Sequence, residues 1–485
     1  MTGLAVREGD GRELLAALSP ARRGRWSTPV RMRIGAAAVV ALACCLAALT
    51  AVLLGQLRGE FQAIGQRDAP QAEATAGLYF ALNDMDAQVA NVLLVGGDTA
   101  LAASRSQDLA TYEGDRAAAD RDLEQAAVSE ADNSAAEQKL SLVLDRIGQY
   151  EALAAVALLA SQQAHSAAGR APAVAIGYYR QATDLMQTGV LPAVGSLTTV
   201  SAAGLDASYQ EGTTDAGTGT AWVIVLAVLL AAALVALQVH LAARFRRLLN
   251  PALVAATVLA VAFAAVTVAR LNAGSGHLQV AKQDAFDSIQ ALSLARAVSY
   301  DANADESRYL VDPGRAAQYQ QAFLAKSQQI VNVGPVGISG YDAALAADIR
   351  AYQRDNSDVR FGGYLGAEFR NITFPGERQA AFAALLAFQR YERDDRTLRA
   401  LAARNLAAAV AYDIGTAPGQ SDGAFNQYDA ALSAVIAVNS SAFTGAVRDG
   451  EDGAAGWDLG FPALGLVLLA GLAVAGVRPR LAEYR

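Results

Sequence analysis

Cysteine is almost missing from this chain. Cys44 and Cys45 stand side by side inside one apolar run, and no other occurs. Nothing outside that run can form a disulfide, so every folded segment must be held by packing alone. Histidine is nearly as scarce: His165, His240 and His277 lie too far apart for a metal cage or a catalytic triad. There is no Gly-x4-Gly-Lys-Ser/Thr phosphate loop and no His-Glu-x-x-His pair. These absences predict no enzyme: no catalytic residue, no cofactor and no metal. Strand-like alternation of Val, Ile and Thr is sparse, which argues against a β-rich fold. No basic face interleaved with aromatics occurs, so nucleic acid is excluded as a partner.

Charge is missing in four places, and there its absence is informative. The apolar runs 34–54, 221–238, 252–269 and 461–477 contain no Asp, Glu, Lys or Arg. A bilayer core needs roughly 20 apolar residues as helix, with about 17 tolerated. The chain is 53% hydrophobic with mean hydropathy +0.22. The reading is an all-α membrane protein with four transmembrane helices and two duplicated extracytoplasmic antiparallel helical bundles, in the lipid bilayer of the plasma membrane. Its parts are a basic tail (1–33), a span (34–54), bundle one (55–220), a span (221–241), a short turn (242–250), a span (251–271), bundle two (272–460), a span (461–477) and a tail (478–485).

Arginines set the orientation, because short Arg-rich loops stay cytoplasmic. Arg22, Arg23, Arg25, Arg31 and Arg33 precede the first span, Arg244, Arg246 and Arg247 fill the middle turn, and Arg478, Arg480 and Arg485 follow the last. With four spans, all three clusters fall on one side, placing both termini in the cytoplasm. A tail of over thirty residues before the first span argues against a cleaved signal peptide. The net charge of −8 then resides in the outer segments.

The outer segments are rich in Ala, Leu, Gln, Glu and Arg, which favour helix. Breaks at Gly96-Gly97-Asp98, Asp132-Asn133-Ser134 and Gly169 to Pro172 divide the first into helices over 56–94, 100–127, 135–168 and 173–210, with Gly212 to Gly219 as a flexible entry to the second span. The second segment echoes the first. Asp68-Ala69 matches Asp284-Ala285, and Leu94-Val95 matches Leu310-Val311, both 216 residues on. Tyr150-Glu151 matches Tyr391-Glu392 at 241, and Trp222 matches Trp457 at 235. The growing offset places an insertion around Phe361 to Arg378. Duplication of a two-span unit explains the series. Dense Ala and Gly in the spans allow them to pack as one bundle.

Candidate binding residues follow from the repeat and from charge. Asp68 and Asp284 occupy matched places and can bind a partner, although a solvated face is the plainer reading. Tyr150 and Tyr391 suit core or groove packing with the hydroxyl at the edge, and Glu151 and Glu392 suit the surface. Arg296, Arg308 and Arg315 can grip an anion in bidentate fashion, or simply balance local acidity. Asp301, Asp305 and Glu306 share a broad helix face, read as solvated. Ser27-Thr28-Pro29 reads as a juxtamembrane turn, and Asn371-Ile372-Thr373 as a chance glycosylation triplet.

An outer helical bundle continuing into the membrane is similar to the ligand-binding domain of methyl-accepting chemotaxis receptors, without their inner signalling coils. The Arg-rich tail, Arg-Asp-Ala-Pro-Gln at 67–71, the stretch from Tyr79 to Asp98 with Leu93-Leu94-Val95-Gly96, and the tiny inner turn resemble four-span actinobacterial membrane proteins. Those proteins act with an extracytoplasmic glutamine/glutamate-binding lipoprotein and the soluble Ser/Thr protein kinase G. The resemblance implies a non-enzymatic transducer with that lipoprotein and that kinase as partners. Direct small-molecule sensing and an envelope-assembly role are the alternatives, and self-association is left open.

Overall fold

The computed structural model describes residues 28–129, 134–245 and 250–482. Arg22, Arg23, Arg25, Ser27, Asp132, Asn133, Arg246, Arg247 and Arg485 lie outside these residues. Among the described residues the chain is helical, with one isolated antiparallel bridge between Asn332 and Gly362. It divides into two compact units. One takes the chain up to Leu54, Thr218–Ala269 and Gly456 onward; the other takes Gly55–Gly217 and Arg270–Ala455.

The elements of the first half are α1 (Thr28–Ala63), a π-helical turn (Ile64–Asp68), α2 (Ala69–Val95), α3 (Ala102–Ser129), α4 (Ser134–Ala164), α5 (Ala173–Leu185), a second π-turn (Met186–Val190) and α6 (Leu191–Phe245). The second half holds α7 (Pro251–Gln279), a third π-turn (Val280–Phe286), α8 (Asp287–Val311), α9 (Ala316–Ile330), α10 (Ile338–Arg354), α11 (Gly363–Asn371), α12 (Glu377–Ala402), α13 (Leu406–Asp413), α14 (Ser421–Ala454) and α15 (Gly460–Ala482). The short α11 falls where the growing offset puts an insertion.

Five helical stretches among the described residues are long and apolar enough to cross a membrane. Four contain the expected runs. The fifth is α14, whose apolar residues are spaced for one face. Phe425, Tyr428, Leu432 and Val435 are buried along it, and it packs on α12 in the second unit. In the first unit, close approach rests on small residues: a Cβ on Gly476 would lie 2.9 Å from Leu253. Phe263 stacks on Phe461 at 4.6 Å, and Asn250 donates to the Gly476 carbonyl at 2.7 Å.

In the second unit the segments Gly55–Gly217 and Arg270–Ala455 contribute to one body. The axis is the pair α2 and α8, which pack side by side. Positions 216 residues apart meet across this pair. The Arg296 guanidinium lies 4.3 Å from the centre of the Phe80 ring, and Ser307 donates to Asn91 Oδ1 at 2.6 Å. The π-turns preceding α2 and α8 start at the same offset. A π-turn adds a residue to one helical turn and is frequent at functional sites. The loop after α2 is tight. Gly96 has φ 62°, and a Cβ on Gly97 would lie 2.8 Å from His165 Cα. The expected flexible entry at Gly212 to Gly219 is instead continuous helix within α6. Gly212 serves close packing there, since a Cβ would lie 3.1 Å from Glu60 Cγ.

Candidate functional site

Along α8, Asp301, Asp305, Glu306 and Arg308 crowd one broad helix face with charge. The structure buries them. Asp301, Asp305, Glu306 and Arg308 are all at most 5% exposed. The solvated-face reading of the three acids is therefore corrected: this face of α8 lies against α2 and the helices around it.

Arg308 is the centre. Its Nη2 donates to Asp86 Oδ2 of α2 at 2.6 Å, and its Nη1 to Asp305 at 2.6 Å and Asp301 at 2.9 Å. Its Nε donates to the Tyr179 hydroxyl of α5 at 2.9 Å. Lys326 of α9 bonds Asp305 at 2.6 Å and Asp301 at 2.7 Å. Asp86 also accepts from Thr183 at 2.6 Å and Tyr150 at 3.2 Å. Gln187, in the second π-turn, donates to Asp301 at 2.9 Å. Three carboxylates thus share two cations, with Asp86 from the first half of the chain and the rest from the second. Burial raises Asp86 above the ordinary carboxylate range, against the pull of Arg308. Burial also works to raise Asp301, but Lys326 and Arg308 overcome it and hold the carboxyl at about 2. A buried ion cluster is weak evidence for stability, yet removing one partner leaves an uncompensated charge. Through Arg308 and Asp86 these bonds tie α8 to α2.

A second group is more acidic. Glu306, Glu392, Asp395 and Asp413 are buried, and Arg399, bonded to Asp395 at 2.9 Å, is the cation among them. Ser421 donates to Glu306 at 3.0 Å and Ser307 lies 3.0 Å from Asp413. Burial and the neighbouring Asp395 push Asp413 up to about 7. Burial pushes Glu392 to about 8. Burial, Asp395 and Asp413 drive Glu306 well up. The surface reading of Glu392 is corrected accordingly: α12 turns this face against α8 and α14.

The remaining candidates fall into place around the seam. Arg296 grips Asp429 in bidentate fashion, at 2.5 and 2.9 Å, and Arg315 grips Asp184 at 2.8 and 3.1 Å. All three candidate anion-binding arginines hold carboxylates of the protein itself. Tyr150 and Tyr391 are fully buried. The Tyr150 hydroxyl is on Asp86, so it is internal and not at an edge. The Tyr391 hydroxyl has no hydrogen-bond partner, and its ring packs on Phe425 and Tyr428. Asp68 is 8% exposed, which corrects its solvated reading: it accepts from Arg67 and from Ser208, both at 2.8 Å. Its counterpart Asp284 is half-buried, and its carbonyl accepts from Asn371 at 3.0 Å. Asp86, Tyr179, Thr183 and Asp413 were missed, because charges and hydroxyls within helix read as outward-facing.

Two grooves flank the α2–α8 pair. One, of about 310 Å³, is bounded by Glu73 and Phe80, by Gln290, Ser293 and Arg296, and by Ser440. The other, of about 370 Å³, is bounded by Tyr79, Gln187, Thr198, Gln290 and Tyr364. Among the described residues no group of three His, Cys, Asp or Glu is arranged to hold a metal ion.

Residues 60–210 match the family model of the actinobacterial sensor domain, about a third of the chain. No curated protein and no solved structure matches the chain. The family match supports a sensor, and the apolar helices agree with a multi-pass membrane protein.

Proposed function

We propose that this chain is a non-enzymatic signal transducer of the plasma membrane, with four spans, both termini cytoplasmic and a duplicated outer unit. It relays extracytoplasmic amino-acid availability, presented by a substrate-binding lipoprotein, to a cytoplasmic Ser/Thr kinase. The observation carrying this reading is where the sensor match begins and ends. Residue 60 lies in α1 and residue 210 in α6, and both helices run without a break into apolar stretches. A continuous helix can pass on a small shift or rotation, and packed helix pairs are bistable. The α2–α8 seam supplies such a pair: its ionic bonds exist only in particular registers. A binding protein shifts that equilibrium only by its differential affinity for the two arrangements. The contacts at offset 216 support duplication, since equivalent residues of a repeat meet at a local twofold axis.

The test is recovery of the tagged chain from native membranes with glutamine or glutamate present and absent. An extracytoplasmic binding protein should co-purify in amounts that depend on the amino acid. Equal recovery in both conditions, or none, would overturn the relay.

A further inference from the structure

We propose that the pocket between the third π-turn, the start of α8 and α11 binds a small organic cation, a primary ammonium or a guanidinium, through Glu368. The pocket is about 210 Å³ and is lined by Gln283, Asp287, Ser288, Glu368 and Asn371. That is below the range of drug-sized sites, roughly 300–1,000 Å³, and suits a compact ligand. Its rim carries the exposed Gln283 and Ala367, and its floor the buried Ser288 and Glu368.

Glu368 is 0% exposed, and neither carboxyl oxygen has a hydrogen-bond partner. A buried carboxyl without donors is costly, and natural structures seldom tolerate one without a ligand, a proton or a water. Ser288 and Asn439 lie close enough to pull the titration of Glu368 down, but burial and the neighbouring Glu377 carboxyl outweigh them. Ser288 receives the Asn371 amide at 3.0 Å. Glu377, next along, accepts the Thr373 and Phe374 amides on one oxygen and has nothing on the other. Asp284 adds a third carboxyl close to Glu377. Lys282 is already held by Asp206 and Asp287. Among the described residues no Lys or Arg pairs with Glu368, Glu377 or Asp284. The arginine in α11, Arg370, spends its donors on the carbonyls of Gly366 and Phe361, both at 2.7 Å.

The pocket is therefore acidic, short of donors and open at the rim, and an N–H-rich cation supplies what it lacks. The metal alternative has no three-ligand geometry here. Burial, with Glu377 adding to it, holds the empty Glu368 near pKa 7, so a cation binds best where the carboxyl is ionised. The pocket adjoins the π-turn that leads into α8 and bridges it to the inserted helix. A ligand there couples to the same helix pair as the relay. The inference goes beyond the relay reading and does not need it.

The test is calorimetric titration of the purified full chain in detergent, with no partner protein present. Putrescine and L-arginine are the probes, and L-glutamate and calcium chloride the counter-probes. Saturable binding of at least one of the two cations is expected at pH 8, weaker at pH 6. Glu368→Gln should weaken it at least tenfold while leaving the thermal midpoint of the ligand-free protein unchanged or raised. The exposed Glu113→Gln should leave binding intact. No saturable binding of either cation, undiminished binding by Glu368→Gln, or binding of calcium in their place would each overturn the proposal.

Discussion

Replacing Arg308 by methionine tests the seam most sharply. Methionine keeps much of the buried volume but removes four donors' worth of bonding, to Asp86, Asp301, Asp305 and Tyr179. Asp301 and Asp305 retain Lys326. Asp86 retains only Thr183 and Tyr150, so it is the charge left stranded. Breaking a buried pair from one side costs about 3–5 kcal/mol. The second unit spans roughly 350 residues. At ~2.1 cal/mol/K per residue its unfolding entropy is about 0.7 kcal/mol/K, so the midpoint should fall by roughly 4–7 °C. The stranded Asp86 should take up a proton in the folded state. Its folded pKa, already raised by burial, would rise further. A raised carboxyl stabilises most at low pH, and that contribution is lost as pH rises towards the folded pKa. The deficit of Arg308→Met should therefore be smaller at pH 5 than at pH 8, and the added change Asp86→Asn should recover part of it at pH 8. The assay is thermal melting of the full chain by circular dichroism. A shift under 2 °C, or no rescue by Asp86→Asn, would refute the assignment of Arg308 as the linchpin of the seam.

Other outcomes follow from the same structure. Asp413 and Glu392, raised to about 7 and about 8, bind more protons folded than unfolded, so the melting midpoint should fall as pH rises from 5 to 9; Glu392→Gln should flatten that slope. At Gly450 an added Cβ would run into the Phe61 ring, so Gly450→Ala should lower stability by about 1–3 kcal/mol through overpacking, less the gain in helix propensity; a stabilised variant would contradict the close approach. Gln56→Pro lies inside α1 and should cost about 3 kcal/mol or more in that helix. The variant should keep binding-protein recovery but lose the downstream response, and a normal response would remove α1 from the relay. Reporter fusions after Ser134 and Gly376 should read outside, and one in the 244–247 turn inside; an outside reading for the turn would break the four-span arrangement.

Much of the helical framework was legible because it rests on local signals. Runs without charge mark the apolar helices, and Gly96-Gly97-Asp98 ends α2 where expected. The 216-residue spacing between Asp68 and Asp284, read from the sequence, is also the spacing of the contacts Phe80–Arg296 and Asn91–Ser307 across α2 and α8. The burial of charge was not legible. Asp86 sits among Asp84, Met85 and Ala87, and nothing local tells which of two adjacent acids faces Arg308, 222 residues away. Helical periodicity assigns charge to water, and it fails where opposite charges come from different segments. The sole hint lay in Asp301 to Arg308, where three acids and an arginine crowd one helix face. Glu368 was invisible for a related reason: its isolation comes from what α8 and α12 fail to offer it. The π-turns were likewise hidden, because a single extra residue in a turn leaves no compositional mark.

The most direct test of the relay is a disulfide clamp on its moving pair. Cysteines at Asn91 and Ser307, whose side chains meet at 2.6 Å, can be introduced after Cys44 and Cys45 are replaced by serine. Kinase-dependent phosphorylation is then followed in cells after glutamine or glutamate is added, with the clamp oxidised and reduced. The account predicts a response when reduced and none when oxidised, at equal membrane abundance. An undiminished response through the oxidised clamp would contradict it.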